Sequence, residues 1–256
     1  MDLERALQKL DRLVETHDFD GAKELLKYWV SEAQSQGDLR AELSLRNECM
    51  GLYRKCAEKE NAYQNAEKAL SLVDKLDMDD TITAGTTYVN AATVYKAFGE
   101  AHRSIPLFEK AQAIYEKLLK EGDGRLGGLY NNMGLALLDE KRYEEAILAY
   151  ERALSVMEKV EHGNLERGIT YLNQADVYDR MRNDEVRKDS HDEDGWEALI
   201  TGCVDKAVEC LEDESLPRDG YYVFVAEKCI PSFDYYGYFM EKAILEERVK
   251  GILASM

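Results

Sequence analysis

The sequence predicts an all-α chain, a solenoid of stacked antiparallel helix pairs, on three observations. Only three prolines occur in 256 residues, at Pro106, Pro217 and Pro231, while alanine, leucine, glutamate and lysine, the strong helix formers, are plentiful. No stretch alternates apolar and polar residues with period two for long enough to make a sheet. Small and large apolar residues recur at fixed offsets, most plainly in residues 127–160, GGLYNNMGLALLDEKRYEEAILAYERALSVMEKV.

In that stretch Tyr130, Met133, Gly134 and Leu137 fall on one amphipathic helix and Ala146, Tyr150 and Ala153 on the next, with a turn at 139–142. Small residues such as Gly134 and Ala146 let two helix axes close to roughly 8–10 Å. Tyr130, Leu137 and Tyr150 then fill the groove toward the next pair. A pair of this size cannot bury its apolar stripe alone and needs neighbours on both sides.

The same offsets organise the rest of the chain. Residues 1–40 form an N-terminal cap pair, with Leu10, Leu13, Phe19, Ala22 and Leu26 in register, a turn near His17, and Trp29 where a small residue is expected. Repeats follow at 43–78, 85–121, 127–161 and 168–212, and their starts near 43, 85 and 127 give a step of about 42 residues. Pro106 predicts a kink or a late start of its helix, and Pro231 is expected to stop another. Gly99 and Gly163 suit helix C-termini. The charged run 183–195, NDEVRKDSHDEDG, reads as an insertion in a turn. Residues 216–256 form a C-terminal cap with eight aromatic residues between Tyr221 and Phe239. Those rings serve either to close the last apolar face, the preferred reading, or as an exposed surface through which the chain oligomerises.

The aromatic-x2-Leu-Gly-x2-Tyr and Ala-x3-aromatic spacing, carried by residues 88–111, 130–153 and 171–178, resembles the tetratricopeptide-repeat family. The step of about 42 residues resembles the longer repeats of kinesin light chains. The resemblance covers nearly the whole chain as one solenoid over residues 1–256. It implies a right-handed superhelix whose first helices line a concave face, and a binding scaffold rather than an enzyme.

Within it, YVNAATVY, YNNMGLAL and YLNQADVY place Asn90, Asn132 and Asn173 two residues after a tyrosine in three successive repeats. In the family that position lines the groove, where a carboxamide, with two donors and an acceptor, can hold the backbone of an extended peptide without reading its side chains. The competing reading is that these asparagines bridge neighbouring helices. Thr86, Thr93 and Lys96, then Asn131 and Leu135, then Asp176, Asp179 and Arg180 would extend the track. The second repeat departs from it, with Glu48 at the matching place and Asn47 beside it, although Arg54 and Lys55 supply positive charge there.

Fifty-one acidic against 33 basic side chains give a net charge of −18, which opposes nucleic acid and anionic lipid and favours a basic partner. No run approaches the 18 or so apolar residues of a membrane span. The N-terminal residues carry charge without an apolar run, so export is not expected. Five cysteines without a pairing motif suit a reducing compartment, so a cytoplasmic location is expected. Cys49 with Cys56, and Cys203 with Cys210, are each two helical turns apart and read as core residues. The group His191, Asp192, Glu193 and Asp194 lacks metal-ligand spacing and reads as a solvated loop. No catalytic constellation and no cofactor are expected. The function that follows is a non-enzymatic scaffold binding an extended peptide or partner protein on the concave face. The alternative is a sensor of a signalling peptide or small ligand that acts through a separate effector.

Overall fold

The computed structural model describes residues 3–184, 187 and 190–255. Among them are twelve α-helices and no strand: α1 (Leu3–Glu15), α2 (Phe19–Ser35), α3 (Leu39–Lys55), α4 (Lys59–Lys75), α5 (Ile82–Ala97), α6 (Ala101–Leu118), α7 (Gly124–Asp139), α8 (Tyr143–Met157), α9 (Asn164–Asn183), α10 (Glu193–Glu212), α11 (Gly220–Tyr235) and α12 (Phe239–Ser255). They fall into two compact units, Met1–Leu119 and Lys120–Met256. In the first, α1/α2, α3/α4 and α5/α6 pair, α2 packs on α3 and α4 on α5, and α3 touches α5 directly. In the second, α7/α8, α9/α10 and α11/α12 pair, α8 packs on α9, and the first helices α7, α9 and α11 form a layer of their own.

Six of the helices start at an acidic or hydroxyl side chain that caps them. Asp18, Asp38, Thr81, Asp123, Asp192 and Asp219 each accept a hydrogen bond from a backbone N–H in the first turn. Most turns are one repeated device. A single residue enters the left-handed region, and the two N–H groups around it fold back on the preceding helix. Lys141 (φ 58) donates to the Leu138 carbonyl and Arg142 to that of Leu137, while Gly99 (φ 81) donates to Lys96 and Glu100 to Tyr95. His17, Gly37, Ala57, Asp77 and Gly237 repeat the pattern.

Close packing explains the helical glycines. A Cβ on Gly134 would lie 2.5 Å from the Tyr150 ring, and one on Gly85 would lie 2.5 Å from the Tyr115 ring. Tyr150 is completely buried, so the ring that fills the inter-helix space needs the missing methyl opposite it. Gly163 has a different role from the one expected. It sits at the start of α9 with φ −61, while the left-handed residue of that turn is His162 (φ 57). A Cβ at 163 would meet the Met157 carbonyl at 2.0 Å, so close backbone approach demands the glycine.

Pro106 does not delay the start of its helix, and Pro231 does not stop its own. α6 begins at Ala101 and runs through Pro106, and α11 runs through Pro231 to Tyr235. Each proline deprives the carbonyl four residues earlier of its N–H, and those residues, His102 and Glu227, lie with the prolines on the exposed side of their helices. Water can satisfy the carbonyls there, which removes most of the cost of an interior proline.

The insertion is shorter than the charged run suggests, since α9 reaches Asn183 and α10 begins at Glu193. Residues 185, 186, 188 and 189 lie outside the described residues. Trp196 is almost wholly buried and packs edge-on against His191. The C-terminal aromatics divide between two settings. Tyr222 and Phe233 fill the core of the second unit, while Tyr221, Phe224, Tyr235 and Phe239 are about half exposed or more.

Candidate interaction face

The asparagines lie on first helices, and two of them are engaged with the neighbouring first helix. In the first unit the Asn90 amide donates to Asn47 Oδ1 at 2.8 Å, and the Asn47 amide donates to the Leu43 carbonyl at 2.9 Å and to Thr87 Oγ1 at 3.1 Å. Thr87 is fully buried and passes its proton to the Thr83 carbonyl. In the second unit the Asn173 amide donates to Asn131 Oδ1 at 3.0 Å. Thr170 donates to the Glu166 carbonyl at 2.7 Å, with its hydroxyl 3.2 Å from Asn131 Oδ1. The two networks occupy the same register, an asparagine on one first helix facing a threonine and an asparagine on the next. Asn132 differs, for its amide donates to the Gly128 carbonyl of its own helix.

The other expected residues sort by the same test. Thr93 donates to the Val89 carbonyl within α5, and Thr86 turns to the hydroxyl of Tyr115 on α6 rather than along the first-helix face. Lys96 is half-buried on that face. On α9, Arg180 pairs with Asp176 at 3.2 Å and lies 3.8 Å from Asp139 of α7. Asp179 is buried and accepts from Arg182 at 2.6 Å and from the Tyr235 hydroxyl at 2.9 Å. Leu135 is half-buried between Asn132 and Asp139 on α7.

Glu48, where the asparagine track breaks off, lines a groove of about 370 Å³ between α1 and α3. Leu10, Asp11, Val14 and Glu15 come from α1, and Glu48, Gly51, Leu52 and Lys55 from α3. Burial, with Asp11 adding to it, pushes the Glu48 carboxyl above its ordinary value. Burial also lowers the Arg54 guanidinium from its own. Both side chains reach solvent, so the protein crowds them without covering them. Sequence reading missed Asp11, Glu15 and the two bridging threonines, Thr87 and Thr170. The threonines could have been found, because they hold the same repeat position; the α1 carboxylates could not, because they reach Glu48 only through the fold.

The remaining chemistry-bearing groups lie in packed surroundings. All five cysteines are free, and burial pushes the Cys49 thiol up to about 12 and the Cys203 thiol to about 11, which keeps both protonated. Among the described residues no cluster of His, Cys, Asp and Glu could hold a metal ion. No helix among them is long and apolar enough to cross a membrane.

Helix pairs in register, glycine against tyrosine, and first helices in direct contact are the geometry on which known proteins can be compared. Residues 126–186 match the sequence profile described as tetratricopeptide repeat. This is a tetratricopeptide-repeat fold. Solved structures share it. The nearly identical TPR-like repeats of a Podosopora anserina protein assigned to the kinesin light chains superpose with a TM-score of 0.57. They are 16% identical, over 83% of this chain and 95% of that one. BtubC (BKLC) from P. vanneervenii also gives 0.57, at 19% identity, over 82% and 91%. No curated protein matches the chain in sequence. The fold class read from the sequence, an all-α solenoid of antiparallel helix pairs, is that of these structures, and tetratricopeptide repeats generally mediate protein–protein interaction.

Proposed function

We propose that the chain is a non-catalytic scaffold that binds an extended segment of a partner protein on the face of its first helices, in a reducing, cytoplasmic setting. The observation that carries this reading is the set of half-buried polar groups on those helices. Thr93 and Lys96 in the first unit, and Asn132 and Asp176 in the second, stand on helices whose own packing holds them still. Rigid presentation lowers the ordering cost of binding. Asn90 and Asn173 take part through the bridges they make, which fix the spacing of adjacent first helices. Asn132, bonded only within its own helix turn by its amide, is the member of the series best suited to meet a peptide unit. Arg180 and Asp176 add a charged pair to the first-helix face of the same unit. The five free thiols support the reducing setting.

The test is capture of partners by the immobilised chain. Asn132→Ala should leave helicity and melting temperature unchanged and reduce capture several-fold. Full capture by a folded Asn132→Ala variant would remove the peptide-contact role of this face.

A further inference from the structure

We propose that the groove between α1 and α3 seats a lysine or arginine side chain carried by the partner segment, a reading that rests on the scaffold function above and adds the chemistry of its ligand. The groove has two zones. Its walls are Leu10, Val14 and Leu52, and its polar groups are the carboxylates of Asp11, Glu15 and Glu48. A long cationic side chain has the same two zones, an apolar stem and a charged head. At about 370 Å³ the space is near the lower end of ligand sites, roughly 300–1,000 Å³, and suits side chains rather than a whole cofactor.

The charge balance inside the groove favours a cation from outside. None of the three carboxylates forms an ion pair among the described residues, whereas acidic groups elsewhere in this unit do, as in Glu58 with Lys23 at 3.0 Å and Glu42 with Arg46 at 2.9 Å. The one basic lining residue, Lys55, directs its ammonium over the Phe19 ring at 5.2 Å, at the start of α2. Glu48 is held above the ordinary carboxylate range by burial and by Asp11. An incoming ammonium or guanidinium would relieve that repulsion while its stem lies along the apolar wall. Gly51 opens the space, since a Cβ built there meets nothing within 4 Å. It is also the residue through which the groove can be closed without disturbing the core.

The experiment follows the Gly51 backbone amide by nuclear magnetic resonance in the intact chain. The probe is the capped pentapeptide Ala-Leu-Lys-Leu-Ala, and the controls carry glutamine or glutamate in place of lysine. The lysine peptide should shift the Gly51 signal in a saturable way, and both controls should bind about tenfold more weakly or worse. Asp11→Asn with Glu48→Gln should weaken the lysine peptide by about tenfold, and Gly51→Arg, which places a cation in the groove, should abolish its binding. Glu60→Gln with Glu109→Gln, on the exposed faces of α4 and α6, removes the same charge and should change affinity less than twofold. Equal binding of the glutamine peptide, equal loss in the two double variants, or unchanged binding to Gly51→Arg would each overturn the proposal. The Asn132→Ala capture test reads a different unit. A silent groove with capture still dependent on Asn132 would reject this inference alone, and the converse result would reject the Asn132 role alone.

Discussion

The two units solve one problem in the same way and then diverge beside it. Asn47, Thr87 and Asn90 in the first, and Asn131, Thr170 and Asn173 in the second, place a polar bridge at the same register between adjacent first helices. Next to that bridge the second unit fills its first-helix face from within, pairing Arg180 with Asp176 and tying Asp179 to Tyr235. The first unit leaves open the groove between α1 and α3, where among the described residues the carboxylates of Asp11, Glu15 and Glu48 form no ion pair. A repeat thus keeps its helix spacing by a shared device, and its capacity for ligands is set by what the flanking positions leave unpaired.

The largest effects should come from packing that both units share. Gly85→Ala and Gly134→Ala each press a methyl onto a buried tyrosine ring and should cost about 1–3 kcal/mol in urea unfolding. Gly168→Ala meets only Leu211 and the Ala207 carbonyl, at 3.3 Å and beyond, and should cost less than either. Equal losses at all three would show that the ring contacts are not the limiting ones.

The bridges come next. Asn47→Ala and Asn131→Ala should each destabilise by about 1–2 kcal/mol, because a part-buried hydrogen-bond set loses its shared member. Their equality across the two units is the sharp part of the expectation. A smaller and opposite effect is expected at the turns. Ala57→Gly and Lys141→Gly relieve left-handed backbone and should stabilise by about 0.5–1 kcal/mol.

The smallest effect is electrostatic. Glu58 is held below its ordinary value by hydrogen bonds from Lys23 and then Asn61, and Glu100 by one from Arg103. Carboxylates with lowered folded-state values add stability above their unfolded value, near 4.5, and lose it as the pH falls. Melting temperature should therefore drop slightly more between pH 5 and pH 3 in wild type than in Glu58→Gln, with the differences kept small by solvent screening.

The fold was readable because its determinants are local in sequence: capping residues, a small residue opposite a ring, and a turn at each repeat junction. The turns at 139–142 and 98–101 lie where α7 gives way to α8 and α5 to α6. What escaped sequence reading depends on which side of a helix a residue occupies. Pro106 and Pro231 read as a late start and a stop until they are seen on the exposed sides of continuous helices, and Gly163 looks like a left-handed cap until its contact with Met157 is seen. The site was half legible. The asparagine series marks one face, yet the partners of Asn90 and Asn173 lie some 40 residues away on another helix. The groove around Glu48 needs α1 to be placed before Asp11 and Glu15 enter it.

The most direct test of the account is site-specific photo-crosslinking in lysate, with a photoreactive residue at Leu135 on the first-helix face of α7 or at Leu148, which is 49% exposed on α8. Crosslinked partner from Leu135 and none from Leu148 is the predicted result. Crosslinks from Leu148, with Leu135 silent in a folded chain, would contradict it.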